Sequence, residues 1–209
     1  MPKLLDLRNN NLQSLDALTY ITIRSFNNTE KGYAWPPYEK IMERSGLGRT
    51  FLSQSIKRLA NAKLIEIRHS VKEGICNRYY FGEPKSFECI PYTIFQADLT
   101  AYEKAMLLLL KQFFVQGCHM THLTINDFAN ALGLSYQQVY KPFKVLIAKG
   151  YTDDDVFKKN SNSQVHWKSF TNKLNWNFHE VLGIPVIDVT AFLNREEKPE
   201  NKSCNLLVA

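Results

Sequence analysis

Five side chains between Arg49 and Lys57 have the chemistry to meet a nucleic acid: Arg49, Thr50, Ser53, Gln54 and Lys57. Arginine can grip O6 and N7 of guanine as a bidentate pair, glutamine pairs with adenine, and hydroxyls and ammonium groups meet phosphate. Interleaved with them, Leu52, Ile56 and Leu59 recur at i, i+4 and i+7, the spacing of one buried helical stripe. A helix over this stretch therefore has a core face and a hydrogen-bonding face. The bland alternative is that the polar face is merely solvated. Three further cations, Arg68, Lys72 and Arg78, surround a polar stretch a little downstream, where they can reach phosphate.

The elements that would position these groups are legible on either side. Pro36-Pro37 marks a helix start, because proline lacks an N–H that a first turn does not use. Ile41 and Met42 give this first short helix an apolar face, and Ser45-Gly46-Leu47-Gly48 breaks it before the second. Leu64 to Arg68 alternates as a strand, Ser70 to Gly74 is a polar turn, and Ile75 to Phe81 is a returning strand. Two helices, a tight turn and a β-hairpin form the plan of a winged helix-turn-helix. The stretch resembles that family, including the Leu-Ile closing the helix and the Asn77-Arg78-Tyr79-Tyr80-Phe81 ending. The resemblance implies a recognition helix in a DNA major groove and a wing against phosphate or the minor groove. Winged helices also serve as protein-interaction modules.

Upstream, Pro2 to Asn11 is expected to be extended, and Ser14 to cap a helix over Leu15 to Phe26. Downstream the pattern repeats. Leu99-Thr100-Ala101-Tyr102 echoes Leu15-Asp16-Ala17-Leu18 at an offset of 84, with Thr100 and Glu103 spaced as a capping box. From Ile125 the offset becomes 87, an expected insertion of three residues, and then holds. Gly46-Leu47 falls on Gly133-Leu134, and Leu52, Ile56 and Leu59 fall on Val139, Phe143 and Leu146. The second candidate face is Tyr136, Gln137, Tyr140, Lys141 and Lys144, in a helix interrupted by Pro142, with an acidic trio beyond it. A helix starting as late as Gln138 would bring that proline nearer its first turn. A second wing is expected within Val165 to Phe178.

The expected fold class is thus α+β, mainly helical: two winged helices in tandem. Residues 1–86 form the first domain and primary DNA reader, 87–183 the second, and 184–209 a partly disordered tail, with few contacts crossing near Pro84. Residues 1–86 hold 14 Lys+Arg against 8 Asp+Glu, and residues 87–183 hold 9 against 8. The whole excess of +6 therefore sits on the first half, where it favours a polyanionic partner.

Other functions find little support. The four cysteines form no CxxC pair, so no disulfide framework is expected. Cys118, His119 and His122 lack the fourth ligand of a structural zinc site, and no metal is expected there. There is no phosphate loop, HExxH or GxSxG motif. The reading is therefore not an enzyme, with no cofactor. No apolar run reaches membrane-spanning length, and a cytoplasmic protein is expected. Tandem winged helices look like the replication initiators of plasmids and some phages. That resemblance implies double-stranded DNA as partner, with replication or transcription machinery and self-association through the second half as further possibilities. A transcription regulator would leave nearly the same trace, and an interaction component without DNA binding is the third class.

Overall fold

The computed structural model of the protein describes residues 4–69, 76–82, 90–114, 120–121, 123–153, 168–170 and 172–174. The first half runs α1 (Ser14–Arg24), β1 (Tyr33–Ala34), α2 (Tyr38–Ser45), α3 (Arg49–Asn61), β2 (Ile65–Arg68) and β3 (Arg78–Phe81). After a 3-10 turn at Tyr92–Gln96 come α4 (Ala101–Lys111), β4 (Met120–Thr121), α5 (Ile125–Leu132), α6 (Tyr136–Ala148), β5 (Thr152–Asp153) and β6 (Lys168–Phe170). Both sheets are antiparallel, with orders β1-β3-β2 and β4-β6-β5, so element order and strand order recur. The short strands β1 and β4 close each sheet and were not among the expected elements. The hairpin turn, the acidic pair Asp154-Asp155, most of the expected second wing and the tail lie outside the described residues.

Several expectations shift. The first helix starts at Ser14 with Gln13 as its N-cap, one position earlier than the hydroxyl rule suggests. Gln13 N–H donates to Asp16 Oδ2 at 2.8 Å, so the acid in the first turn satisfies the cap. Thr100 N–H donates to Glu103 Oε2 at 2.9 Å in the same way, and Thr100 Oγ1 accepts from Glu103 N–H. The cap-and-acid pairs Gln13/Asp16 and Thr100/Glu103 stand 87 residues apart, as do the starts of β1 and β4, α2 and α5, α3 and α6, and β2 and β5. The offset of 84 for the first helices is therefore corrected, and the three-residue insertion disappears. Leu99 corresponds to Leu12, not Leu15; each is 8% exposed and precedes its helix cap.

The two halves share one core. Ala105 to Leu110 are buried at every position, as is Lys111, so α4 has no solvent stripe in its second half. A helix apolar all round needs cover on every side. It receives that cover from α1 on one flank and α6 on another. The segment expected to be extended instead turns between Leu7 and Asn11 and docks on the second half. Asp6 and Leu7 N–H groups donate to the carbonyls of Ala131 and Leu132, both at 2.9 Å. Leu4 exchanges two bonds with the buried Gln112 amide, at 2.9 and 2.8 Å. A cut near Pro84 would divide this core. Uncovering even two leucines costs about 3–6 kcal/mol, a large share of the roughly 5–15 kcal/mol that holds a domain folded.

Two glycines end the second helix of each half with left-handed backbone, Gly46 at φ 72° and Gly133 at φ 67°. A Cβ on Gly46 would meet nothing within 4 Å, whereas one on Gly133 would come within 2.9 Å of Asp6 Oδ1. Gly133 therefore serves the docking of the N-terminal segment as well as the turn.

Helix α6 begins at Tyr136 with Ser135 as its N-cap, ahead of the late start considered above, and this places Pro142 in the helix interior. Proline removes the N–H that would bond Gln138 O, four residues back. Tyr102 Oη of α4 donates to that carbonyl at 3.2 Å. We expect Tyr102→Phe to lower stability by about 0.5–1.5 kcal/mol in urea unfolding, and by less when combined with Pro142→Ala, which restores a backbone donor. Additive effects of the two substitutions would contradict this account.

Candidate nucleic-acid interface

The α3 helix separates its two faces as its spacing dictates. Leu52, Ser55, Ile56 and Leu59 are buried. Arg49, Thr50, Gln54 and Lys57 are exposed and Ser53 is half-buried. At 100° per residue, Thr50, Ser53, Gln54 and Lys57 fall within about a third of the helix circumference, and exposed Asn61 continues the stripe. Asn61 was not among the predicted contacts. Its position, four residues after Lys57, was the available signal.

What aims this stripe outward is a buried ion pair. Asp16 of α1 is 0% exposed at its side chain, and its partner Arg58 of α3 is 13% exposed. Arg58 donates from Nε to Oδ2 at 2.9 Å and from Nη2 to Oδ1 at 2.8 Å. Ser55 Oγ adds a bond to Oδ1 at 2.6 Å. With the Gln13 N–H, the carboxylate accepts four hydrogen bonds and is fully committed. Sequence reading missed Arg58; Asp16, an acid flanked by Leu15 and Ala17-Leu18 in the first helix, was the signal for it.

The helix start is open. Gly48 caps α3 with no side-chain bond, and no acid stands in its first turn. Backbone N–H groups at such a start favour an anion. In α6, by contrast, Ser135 Oγ accepts from Gln138 N–H at 3.3 Å and Gln138 Oε1 accepts from Ser135 N–H at 2.8 Å. Its first turn is thus occupied by its own side chains.

Arg49 is not poised over empty solvent. Its Nη1 lies 2.9 Å from Glu39 Oε1, and its guanidinium sits 5.5 Å from the Tyr38 ring centre. The Glu39 carboxyl is held below the usual glutamate value by its own backbone N–H and then by Arg49. Both side chains are about two-thirds exposed, so the pair contributes little against a phosphate or a guanine.

Arg68 and Arg78 face each other across β2 and β3. Arg68 bonds Glu66 at 2.7 Å and lies 4.2 Å over the Tyr80 ring; Arg78 lies 5.2 Å over the Tyr33 ring. Lys72 lies outside the described residues. On α6, Gln137, Lys141 and Lys144 are exposed at the positions corresponding to Thr50, Gln54 and Lys57. Tyr136 and Tyr140 stack at 5.3 Å and 24°, and Lys144 Nζ stands 5.6 Å over Tyr140. The second face therefore combines a stacked tyrosine pair with three exposed polar donors.

Among the described residues no cluster of three His, Cys, Asp or Glu could hold a metal, and the Cys118, His119 and His122 group lies outside them. No helix among the described residues is long and apolar enough to cross a membrane.

Residues 10–65 match the family described as a helix-turn-helix domain, a span that runs from just before α1 to the first residue of β2. The first half therefore carries a helix-turn-helix domain, of which α2 and α3 are the paired helices. No curated protein matches the chain.

Breaking the Asp16–Arg58 pair should be costly, because it leaves a buried guanidinium without its carboxylate. Asp16→Ala is expected to lower unfolding free energy by about 3–5 kcal/mol in denaturant titration. A loss under 1 kcal/mol, about that of an exposed ion pair, would show that the pair does not dock α3.

Proposed function

We propose that the protein binds duplex DNA through α3, as a tandem of two winged helices, and acts without catalysis or cofactor. The observation that carries this is the outward stripe of Thr50, Ser53, Gln54 and Lys57 beside an uncapped helix start, with Arg49 at its first position. A helix about 10–12 Å across fits the major groove, and its first turn is where base edges come within reach. Arg68, Arg78 and Lys72 of the hairpin are the proposed phosphate contacts. The recurring element order, strand order and helix-acid caps support the second winged helix.

The first half is the primary reader in this proposal. It holds the excess charge and the open helix start, whereas α6 is capped and presents stacked tyrosines. Tyrosines of this kind make good interface residues, and self-association or a secondary DNA contact is the role we assign to Tyr136, Gln137, Tyr140, Lys141 and Lys144. Two reading modules in one chain suit paired or repeated sites, as at a replication origin of a plasmid or phage, and this is the reading we favour. A transcription regulator is the second reading. Sites selected from random DNA and mapped to the source genome separate the two: clustered direct repeats beside an AT-rich tract favour initiation, and sites upstream of genes favour regulation.

Duplex affinity should fall with salt at a log–log slope of about −4 to −5 if five or six phosphates are neutralised, and Lys57→Ala should reduce that slope by about one. A flat response excludes this mode of binding. Glu39→Gln should raise affinity by a few-fold at low salt, because it releases Arg49 from an exposed ion pair that competes with DNA. Unchanged affinity in a fluorescence titration would mean that Arg49 does not reach the DNA.

A further inference from the structure

The first sheet has two unlike faces. Ala34, Ile65 and Tyr79 bury the inner one against the helices. The outer one carries Tyr33, Tyr80, Arg78, Glu66 and Arg68, with Trp35 and Lys31 just beyond β1. Three of its rings form a continuous row: Tyr80 to Tyr33 at 5.2 Å between centres, and Tyr33 to Trp35 at 5.2 Å. Each ring has its own cation. Arg68 lies 4.2 Å from Tyr80, Arg78 lies 5.2 Å from Tyr33, and Lys31 lies 4.8 Å from Trp35. Trp35 is 39% exposed, and all three cations are exposed. The core does not need these rings, since the alternate residues of the same strands already fill it.

We propose that this outer face binds single-stranded nucleic acid by stacking its unpaired bases on the row of rings and guanidinium planes, while the cations meet the backbone. The choice of occupant follows from charge and from geometry. An apolar protein surface would have to desolvate three cations against the single carboxylate of Glu66, which is already tied to Arg68. A polyanion gains from the same groups. A duplex hides its base faces and leaves these ring faces without a stacking partner, whereas unpaired bases offer π-faces. The inference goes beyond duplex recognition by α3: it shares Arg68 and Arg78 with the proposed duplex contacts and adds Tyr33, Trp35, Tyr80 and Lys31.

The test is fluorescence anisotropy with the full chain at low salt, using labelled oligothymidine, oligouridine and a duplex as probes. Oligothymidine should bind, and Trp35→Ala should weaken it on the order of 10-fold, with Trp35→Phe retaining most of the affinity. Tyr33→Ala should act in the same direction. Both variants should leave duplex binding within experimental error, while Lys57→Ala weakens the duplex and spares the single strand. Thermal melts establish that each variant is folded. Equal loss on oligouridine identifies RNA as an acceptable ligand, and tighter oligothymidine binding identifies DNA as the preferred one. The proposal is overturned if neither single strand binds, if folded Trp35→Ala binds oligothymidine like the parent, or if it loses single strand and duplex equally. Failure of the duplex arm alone would overturn the α3 reading and leave this one standing.

Discussion

The aim of α3 depends on one buried carboxylate. Asp16 closes the first turn of its own helix through the Gln13 N–H and, with its remaining capacity, holds Ser55 and both arms of the Arg58 fork. A carboxylate out of water is tolerated only when every lone pair has a donor, and four donors meet that condition. The result fixes rotation as well as distance. A planar bidentate pair on one side of α3 sets which residues look away from the core, so the outward stripe follows from an interaction it does not touch. Leu52, Ile56 and Leu59 supply the affinity between the helices; the pair supplies their register.

The second half uses a related device in a displaced form. Glu103, at the position corresponding to Asp16, meets Lys149 at 3.1 Å. Burial pushes its carboxyl up, but the Thr100 backbone N–H and Lys149 prevail and hold it below the usual value. The cation has moved one helical turn past the position corresponding to Arg58, where Val145 stands. At the position of Ser55 stands Pro142, whose missing donor is supplied from outside by Tyr102. An acid in the first helix and a cation, here at the C-cap of the third, are retained, while the contact slides to where the sequence allows it. The exposed faces of α3 and α6 are thereby free to differ in chemistry on similar backbones.

Much of this was legible in the chain. The presence and faces of α3 followed from its apolar stripe, the limits of α2 from Pro37 and Gly46, and the start of α4 from the Thr100 and Glu103 spacing, because each rests on local backbone chemistry. The features missed were those settled at a distance. An offset of 84 matched Leu99 to Leu15 by letter, whereas hydrogen-bonded caps match Thr100 to Gln13. Arg58 reads as one more surface cation until Asp16 is placed beside it. The apolar run Ala105 to Leu110 showed only that no segment reaches membrane-spanning length, and nothing local says that α1 provides its cover. Strand β1 is too short for any period to declare itself, and it exists because Tyr33 and Ala34 find β3 across the sheet.

The tether between Leu4 and Gln112 carries a consequence for how the molecule comes into being. Those partners are 108 residues apart in the chain. A ribosome adding about 5–20 residues per second makes the second partner on the order of 10 s after the first. Once α3 has been made, it can cover the inner face of α1, while the flank meant for α4 stays wet and apolar until α4 follows. The first half is thus born with a sticky side, and its maturation is timed by the emergence of the four leucines of α4. Any arrest of synthesis before α4 leaves α1 and α3 paired through their buried contacts with an uncovered hydrophobic back.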